Sequence, residues 1–202
     1  MYVFTRWAAH DRSGKICWLL NELNLPYEIE ELEYKTAHDD PSYRQLHPLG
    51  QVPILRDLRD HVTLFESGAI CLYLAEKHAS KILPEGQRPL VLQWLFYNHA
   101  TLEPAIDSYW QITDDDPQLA ELKAAIDKKL EVLLAPLESA LGRTEFIAGE
   151  QLTVADICLG QSLYWLRNRN LLPKFPRTQG YLEKLKARPA AVQAKLFDIP
   201  QD

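Results

Sequence analysis

The sequence predicts an α+β domain of element order βαβ-α-ββα followed by an all-helical domain, and three observations predict it. Two short runs of strand character, Met1–Thr5 and Tyr27–Leu32, flank a helical period over residues 13–23. A second pair of short runs, closed by Glu66-Ser67 and another helical period, occupies residues 53–74. Beyond residue 89 the strand signals vanish, and apolar residues recur only at helical spacing. The expected division is therefore residues 1–78, a linker over 79–89 (two prolines and a glycine in ASKILPEGQRP), and residues 90–202.

In the first part, MYVFT is β-branched and aromatic and reads as a strand. The loop Arg6 to Arg12 leads to Ser13, a fitting N-cap, after which Ile16, Cys17, Leu19, Leu20 and Leu23 fall at helical spacing. Asn24-Leu25-Pro26 stops that helix, and YEIEEL alternates apolar with acidic residues as a half-buried strand does. Strand, helix and strand in this order make a right-handed βαβ unit with a parallel pair. Asp40-Pro41 marks the start of a short helix. Pro53 stands at the first residue of the next strand, where its missing N–H removes no ladder bond, and Ile54-Leu55 continue that strand. A charged turn leads to a strand ending at Leu64-Phe65, and Glu66-Ser67 opens a helix with Ile70, Cys71 and Leu74 on its apolar side. This order of elements is thioredoxin-like.

In the second part, Leu90 to about Ile112 reads as one amphipathic helix, with Leu92, Leu95, Phe96, His99, Leu102 and Ile106 on one side and a kink at Pro104. A breaker around Thr113 and Asp114–Asp116 precedes a second long helix, Pro117 to Leu141, with Pro136 in its last turn and Gly142 as its stop. Thr153 and Asp156 form a capping-box-like pair, with Leu152 and Ile157 placed as a hydrophobic staple. The helix they open, Val154 to Leu166, is apolar nearly all round and so reads as the buried core helix. A last helix spans about Thr178 to Ala187.

Composition excludes several function classes. A 47% hydrophobic and 25% charged chain is that of an ordinary globular protein. Its net charge of −6 offers no basic surface, so nucleic acid and anionic membranes are not expected partners. No apolar run approaches the ~20 residues of a membrane span, and MYVFTRW lacks signal-peptide character, so a cytoplasmic setting is expected. Cys17, Cys71 and Cys158 are widely separated within apolar helical patterns, which predicts buried thiols; no CxxC is present. The histidines show no ligand-like spacing with acids or cysteines, and the acidic triplet reads as a solvated helix start, so no metal is expected.

The stretch LGQVPILRDLRDHVTLFESGAICLY (residues 49–73) carries the functional reading. If the Val52-Pro53 bond is cis, the N–H and C=O of Val52 face outward, free to pair with a visiting extended peptide. The helix start at Ser67 offers N–H groups and a positive dipole end to a carboxylate, and Glu66 offers an anion to an ammonium. An amino acid with free carboxylate and amine, followed by a cysteine peptide unit, suits both halves. Alone, a Val-Pro pair is an ordinary turn and a helix-start serine an ordinary cap. Together, GQVPIL and LFESGAICLYL resemble the glutathione-binding signature of the cytosolic glutathione transferase superfamily, and FIAGEQLTVADICL is similar to the folding motif of that family's C-terminal domain.

The resemblance covers nearly the whole chain and implies glutathione as co-substrate, a small hydrophobic electrophile, a homodimer, and no metal. It implies a glutathione site of Gln51, Val52, Pro53, Glu66 and Ser67, with His47 or Lys35 near the glycyl carboxylate. An electrophile pocket would draw on Trp94, Tyr97, Asn98, Thr101, Tyr109 and Trp110. The chemistry needs glutathione's thiol as a thiolate, and a helix N-terminus with hydrogen-bond donors lowers a thiol pKa from its free value of ~8.5. In the family the donor lies between the first strand and first helix, where this chain has HDRS. Ser13 is the first choice. Arg6 or Arg12 would act instead by charge, Thr5 and Trp7 are rivals, and Asp11 as an anion would oppose a thiolate. Alternatives to conjugation are a glutathione-dependent isomerase or peroxidase, or a non-catalytic binding module of the same fold. The serine-serine-cysteine loop of the maleylacetoacetate isomerase branch is absent.

Overall fold

The structure, a computed structural model, describes residues 1–33, 38–78, 81–110, 119–166 and 171–198, the side chains of residues 109 and 110 excepted. Its contacts group into two units, Met1–Ser80 with Ala187–Asp202, and Lys81–Lys186.

In the first unit, β1 (Tyr2–Arg6), α1 (Gly14–Glu22) and β2 (Tyr27–Glu31) form the expected βαβ unit, with β1 and β2 parallel. α2 (Pro41–Leu46), β3 (Ile54–Asp57), β4 (Val62–Phe65) and α3 (Ser67–Lys77) follow. The sheet order is β2-β1-β3-β4, with β3 antiparallel to both neighbours. This is the thioredoxin-like arrangement that the sequence predicts. Phe4, Ile54 and Leu55 from the sheet, Ile16, Leu19 and Leu20 from α1, and Ile70 and Leu74 from α3 are fully buried. Asp40 caps α2 with its carboxylate, which accepts from the Ser42 N–H at 2.8 Å. At the sheet end marked by Asp57, that buried carboxylate accepts from Tyr73 Oη (2.8 Å) and from Lys77 Nζ, which also reaches Asp60 (2.7 Å). Burial alone would raise the Asp57 carboxyl, but Lys77, Tyr73 and the N–H groups of Arg59 and Asp60 outweigh it and hold it well below the usual carboxylate range.

The second unit contains α4 (Arg88–Tyr97), α5 (Glu103–Trp110), α6 (Ala120–Ala140), α7 (Val154–Trp165) and α8 (Pro176–Lys186). The single kinked helix expected from Leu90 is two helices joined by a π-helical turn, Asn98–Leu102. Pro104 has no N–H to give the carbonyl four residues before it, and the backbone takes up that missing bond as a wider turn. The buried stripe runs Val91, Trp94, Leu95, Asn98, Leu102, Ile106, whereas Phe96, placed on the inner side by sequence periodicity, is 63% exposed. In α7 every residue from Val154 to Tyr164 is buried. Asp156, fully buried, accepts from the N–H and hydroxyl of Thr153 (both 2.7 Å), the Ile147 N–H (2.8 Å) and Tyr181 Oη (2.6 Å). The capping box is thus the hub on which α7, α8 and the Phe146–Gly149 turn are assembled.

The sequence division ran the helical part through to residue 202, but residues 187–198 pack with the first unit. α9 (Pro189–Gln193) lies against α1, where Asn21 Nδ2 donates to the Ala190 carbonyl at 3.2 Å. Arg188 donates from Nε and Nη2 to the two oxygens of Glu22 (2.6 and 2.9 Å), and the Trp18 ring meets Phe197 edge to face at 5.7 Å.

Candidate functional site

Strand register brings three loops to one end of the first unit's sheet. β1 pairs antiparallel with β3, Phe4 opposite Leu55, and β3 pairs antiparallel with β4, Ile54 opposite Phe65. The carboxyl end of β1, the amino end of β3 and the carboxyl end of β4 therefore coincide. Residues 7–13, residues 47–53 and the start of α3 share that end.

The middle loop is held from below by a hydrogen-bond relay. The Ile54 N–H donates to Thr5 Oγ1 (2.8 Å), Tyr43 Oη donates to the Gln51 carbonyl (2.8 Å), and Thr5 Oγ1 stands 3.0 Å from Tyr43 Oη. Because Tyr43 has one proton and gives it to Gln51, Thr5 donates to Tyr43. Burial pushes the Tyr43 phenol pKa up, so it keeps that proton. Thr5 is therefore committed to the scaffold. Gly50 turns at φ +62°, and a Cβ there would lie 2.9 Å from the His38 carbonyl oxygen, so only glycine fits. The Val52-Pro53 peptide is cis. The Val52 side chain packs with Tyr43 and Ile54, and Trp7 and Leu32 lie against them. Among the described residues neither the N–H nor the C=O of Val52 has a hydrogen-bond partner. Gln51 is exposed and Pro53 buried.

Glu66 precedes α3 with φ 71° and ψ 108°, a conformation that costs a non-glycine residue about 1–3 kcal/mol. Its carbonyl accepts from the Ile70 N–H (2.9 Å), while its exposed side chain makes no capping bond. That turn frees the carboxylate and leaves the first-turn N–H groups of α3 pointing out of the helix end. Ser67, at the first helical position, is almost fully buried. Nearby, His47 is 4% exposed rather than a surface histidine, and its ring lies 4.9 Å from that of Phe65. Burial lowers its pKa, against the opposing pull of the Glu66 charge. Its Nδ1 accepts from the Leu49 N–H at 3.3 Å, which leaves Nε2 protonated as a neutral donor. Lys35 lies outside the described residues.

The loop between β1 and α1 is closed on itself by Asp11. Its carboxylate accepts from the N–H groups of Trp7 (2.7 Å), Ala8 (3.0 Å) and Ser13 (2.6 Å). Ser13 sits before α1 in helical conformation, is 0% exposed, and its hydroxyl neither caps the helix nor has another partner among the described residues. In this conformation that hydroxyl is covered. Arg6 is paired with Glu31 at 2.5 Å across the parallel strands, and Arg12 is half-buried. Cys17 is a buried free thiol 3.2 Å from Tyr27 Oη, its pKa raised by burial. Of the residues expected to line an electrophile pocket, Trp94 and Asn98 are buried in the second unit, Tyr97 Oη donates to the Leu133 carbonyl (2.7 Å), and Thr101 is exposed. The side chains of Tyr109 and Trp110 lie outside the described set.

Residues 12–77 match the family glutathione S-transferase, N-terminal domain, and residues 99–193 match glutathione S-transferase, C-terminal domain. Glutathione S-transferase GstB of Escherichia coli (strain K12) is 30% identical over 209 residues, which span 98% of this chain and 100% of that protein. The chain belongs to the glutathione transferase superfamily. A second relative is the disulfide-bond oxidoreductase YfcG of the same organism, 30% identical over 193 residues, 90% of this chain and 89% of that protein. A solved structure of a glutathione transferase family member from Pseudomonas fluorescens pf-5, with two glutathione bound, superposes with a TM-score of 0.84. It is 25% identical and the match covers 98% of this chain and 93% of that one.

For a glutathione transferase chain, Thr5, Tyr43 and Asp11 shape the candidate site and escaped the sequence reading in these roles. Tyr43 carried one signal, an aromatic residue in the otherwise polar run SYRQ; Thr5 carried none, because its partners Tyr43 and Ile54 lie in other segments, and Asp11 carried none, because nothing in the sequence says that its loop folds back onto the carboxylate.

Proposed function

We propose that the chain is a glutathione S-transferase, joining the glutathione thiolate to small hydrophobic electrophiles. The observation that carries this is the unpartnered Val52 backbone at the same sheet end as Glu66 and the start of α3. A cysteinyl peptide unit pairs with Val52 as a short added strand. The γ-glutamyl carboxylate takes the hydroxyl of Ser67 and the N–H groups at the start of α3, and the ammonium takes Glu66. Gln51 and the neutral Nε2–H of His47 are the donors offered to the glycyl carboxylate. The sulfur then faces the loop of residues 7–13 and the amino end of α1, whose dipole and the adjacent Arg12 charge favour a thiolate. Ser13 is the hydroxyl donor of this reading. The enzyme contributes binding, orientation and thiolate stabilisation, with no covalent intermediate. A homodimer in the cytoplasm belongs to the proposal on family membership alone.

A second reading is thiol–disulfide exchange, in which the bound thiolate attacks a disulfide and the other sulfur leaves as thiolate. The covered Ser13 hydroxyl and the likeness to an oxidoreductase favour it. Calorimetric titration with glutathione, for the natural protein and Ser67→Ala, tests the site. Saturable micromolar-to-millimolar binding weakened by the substitution is expected, and absence of binding by both proteins sinks both readings. Initial rates with an aryl halide and with a glutathione mixed disulfide then separate conjugation from exchange.

A further inference from the structure

We propose that Asp11 is a positioning residue of the thiol site, holding the loop of residues 7–13 by its backbone so that the groups around the glutathione sulfur are in place before it arrives. This rests on the preceding reading, which puts the sulfur against that loop and the start of α1.

Both oxygens of Asp11 are used. Oδ2 takes the N–H groups of Trp7 and Ala8 where the chain leaves β1, and Oδ1 takes the N–H of Ser13 where it enters α1. The Asp11 N–H donates to the Ala8 carbonyl (3.3 Å), and its own carbonyl accepts from the Gly14 N–H (3.0 Å). One side chain thus ties the two ends of the loop to each other and to its centre. Hydrogen bonds from amides to a carboxylate are about twice as strong as neutral ones, so this closure is stiff for its size. It also changes how the anion acts. Read from sequence, Asp11 opposes a thiolate; in the structure its charge is turned onto three amide dipoles of its own loop. The residue that looked hostile to the chemistry becomes the one that arranges it. Trp7, held at the first of these bonds, in turn packs on the cluster beneath the Val52 backbone, which couples the loop to the peptide-pairing edge.

The test compares the full-length natural protein with Asp11→Ala and Asp11→Asn. Asparagine keeps the size but presents an NH2 group to one set of amide donors, so it removes part of the closure without opening a cavity. Glutathione affinity is read by calorimetry, and the thiol pKa of bound glutathione by ultraviolet thiolate absorbance against pH. Asp11→Ala is expected to bind glutathione within about threefold of the natural protein, because the γ-glutamyl and Val52 contacts remain. Its bound thiol is expected to titrate about one pH unit closer to the free value of ~8.5, with Asp11→Asn between the two. A merely structural role would lower the melting temperature and leave that titration unmoved. The proposal is overturned if the bound thiol titrates as in the natural protein in both variants, or in Asp11→Asn alone should the alanine variant not fold. It is equally overturned if glutathione bound to the natural protein titrates at its free value. Failure of the natural protein to bind glutathione at all is a different result, and it removes the site reading on which the proposal stands.

Discussion

Replacing Tyr43 by Phe tests whether the relay beneath the Val52 loop is a single device. The change deletes one hydroxyl that gives a proton to Gln51 and takes one from Thr5. Gln51 is exposed, so water replaces the donor to its carbonyl at little cost. Thr5 is 4% exposed and keeps a hydroxyl proton with no acceptor. An orphaned buried donor costs about 1–3 kcal/mol, so Tyr43→Phe is expected to cost about 2 kcal/mol. Thr5→Val strands the buried Ile54 N–H instead and costs a similar ~2 kcal/mol. The double variant strands only the Ile54 N–H, because the orphaned threonine hydroxyl is gone, so its expected cost is about 2 kcal/mol rather than the ~4 of the sum. Urea unfolding of all four proteins measures the shortfall. Calorimetry adds the functional half: loosening Gln51 and Val52 by about 1 kcal/mol weakens glutathione binding roughly fivefold. Strict additivity of the two substitutions would refute the relay. Unchanged glutathione affinity in a destabilised Tyr43→Phe would refute its link to the site.

Three further outcomes follow from named geometry. Glu66→Gly relieves a strained positive φ worth about 1–3 kcal/mol against a glycine entropy cost of about 0.5–1 kcal/mol. It should therefore melt higher, by about 1 kcal/mol, while binding glutathione about tenfold more weakly; equal affinity would remove Glu66 from the site. Asp57→Asn leaves the half-buried Lys77 short of its main partner and should cost about 3 kcal/mol at neutral pH. Because the folded Asp57 carboxyl titrates below its unfolded value of ~3.9, its contribution is complete above that pH and lost as pH falls further. The gap between variant and natural protein should thus narrow below about pH 4, and a gap constant down to the acid limit contradicts the assignment. Asp156→Ala removes the acceptor of four buried donors and should cost about 4 kcal/mol or more, read as loss of cooperative thermal unfolding; a variant melting within a few degrees of the natural protein would show that the hub is dispensable.

Much of the fold was legible because its signals are local. The alternation of YEIEEL, the helical spacing of Ile16 to Leu23, and Thr153 three residues before Asp156 each need only neighbours to be read. The turn at Val52-Pro53 and the helix start at Ser67 were legible for a similar reason, since Val52-Pro53 and Glu66-Ser67 mark their own backbone. What escaped depends on distant partners. His47 is covered because Phe65 lies across its ring, and no residue near His47 in sequence announces that. The π-helical turn escaped because Pro104 announces a defect without saying how the backbone will absorb it. The closure at Asp11 is the exception: its three amides, of Trp7, Ala8 and Ser13, lie within four residues, but nothing in the sequence says that the loop folds back onto that carboxylate.

The return of residues 187–198 to the first unit has a consequence for how the protein is made. Trp18, Asn21 and Glu22 receive their partners Phe197, Ala190 and Arg188 only after every residue of Lys81–Lys186 has been translated. The first unit therefore leaves the ribosome with one flank of α1 uncovered and waits through about a hundred residues of synthesis, several seconds at ordinary elongation rates, for its last piece. During that interval the unit that forms the proposed glutathione site is the one exposed to chaperones and to misassociation, although it was synthesised first.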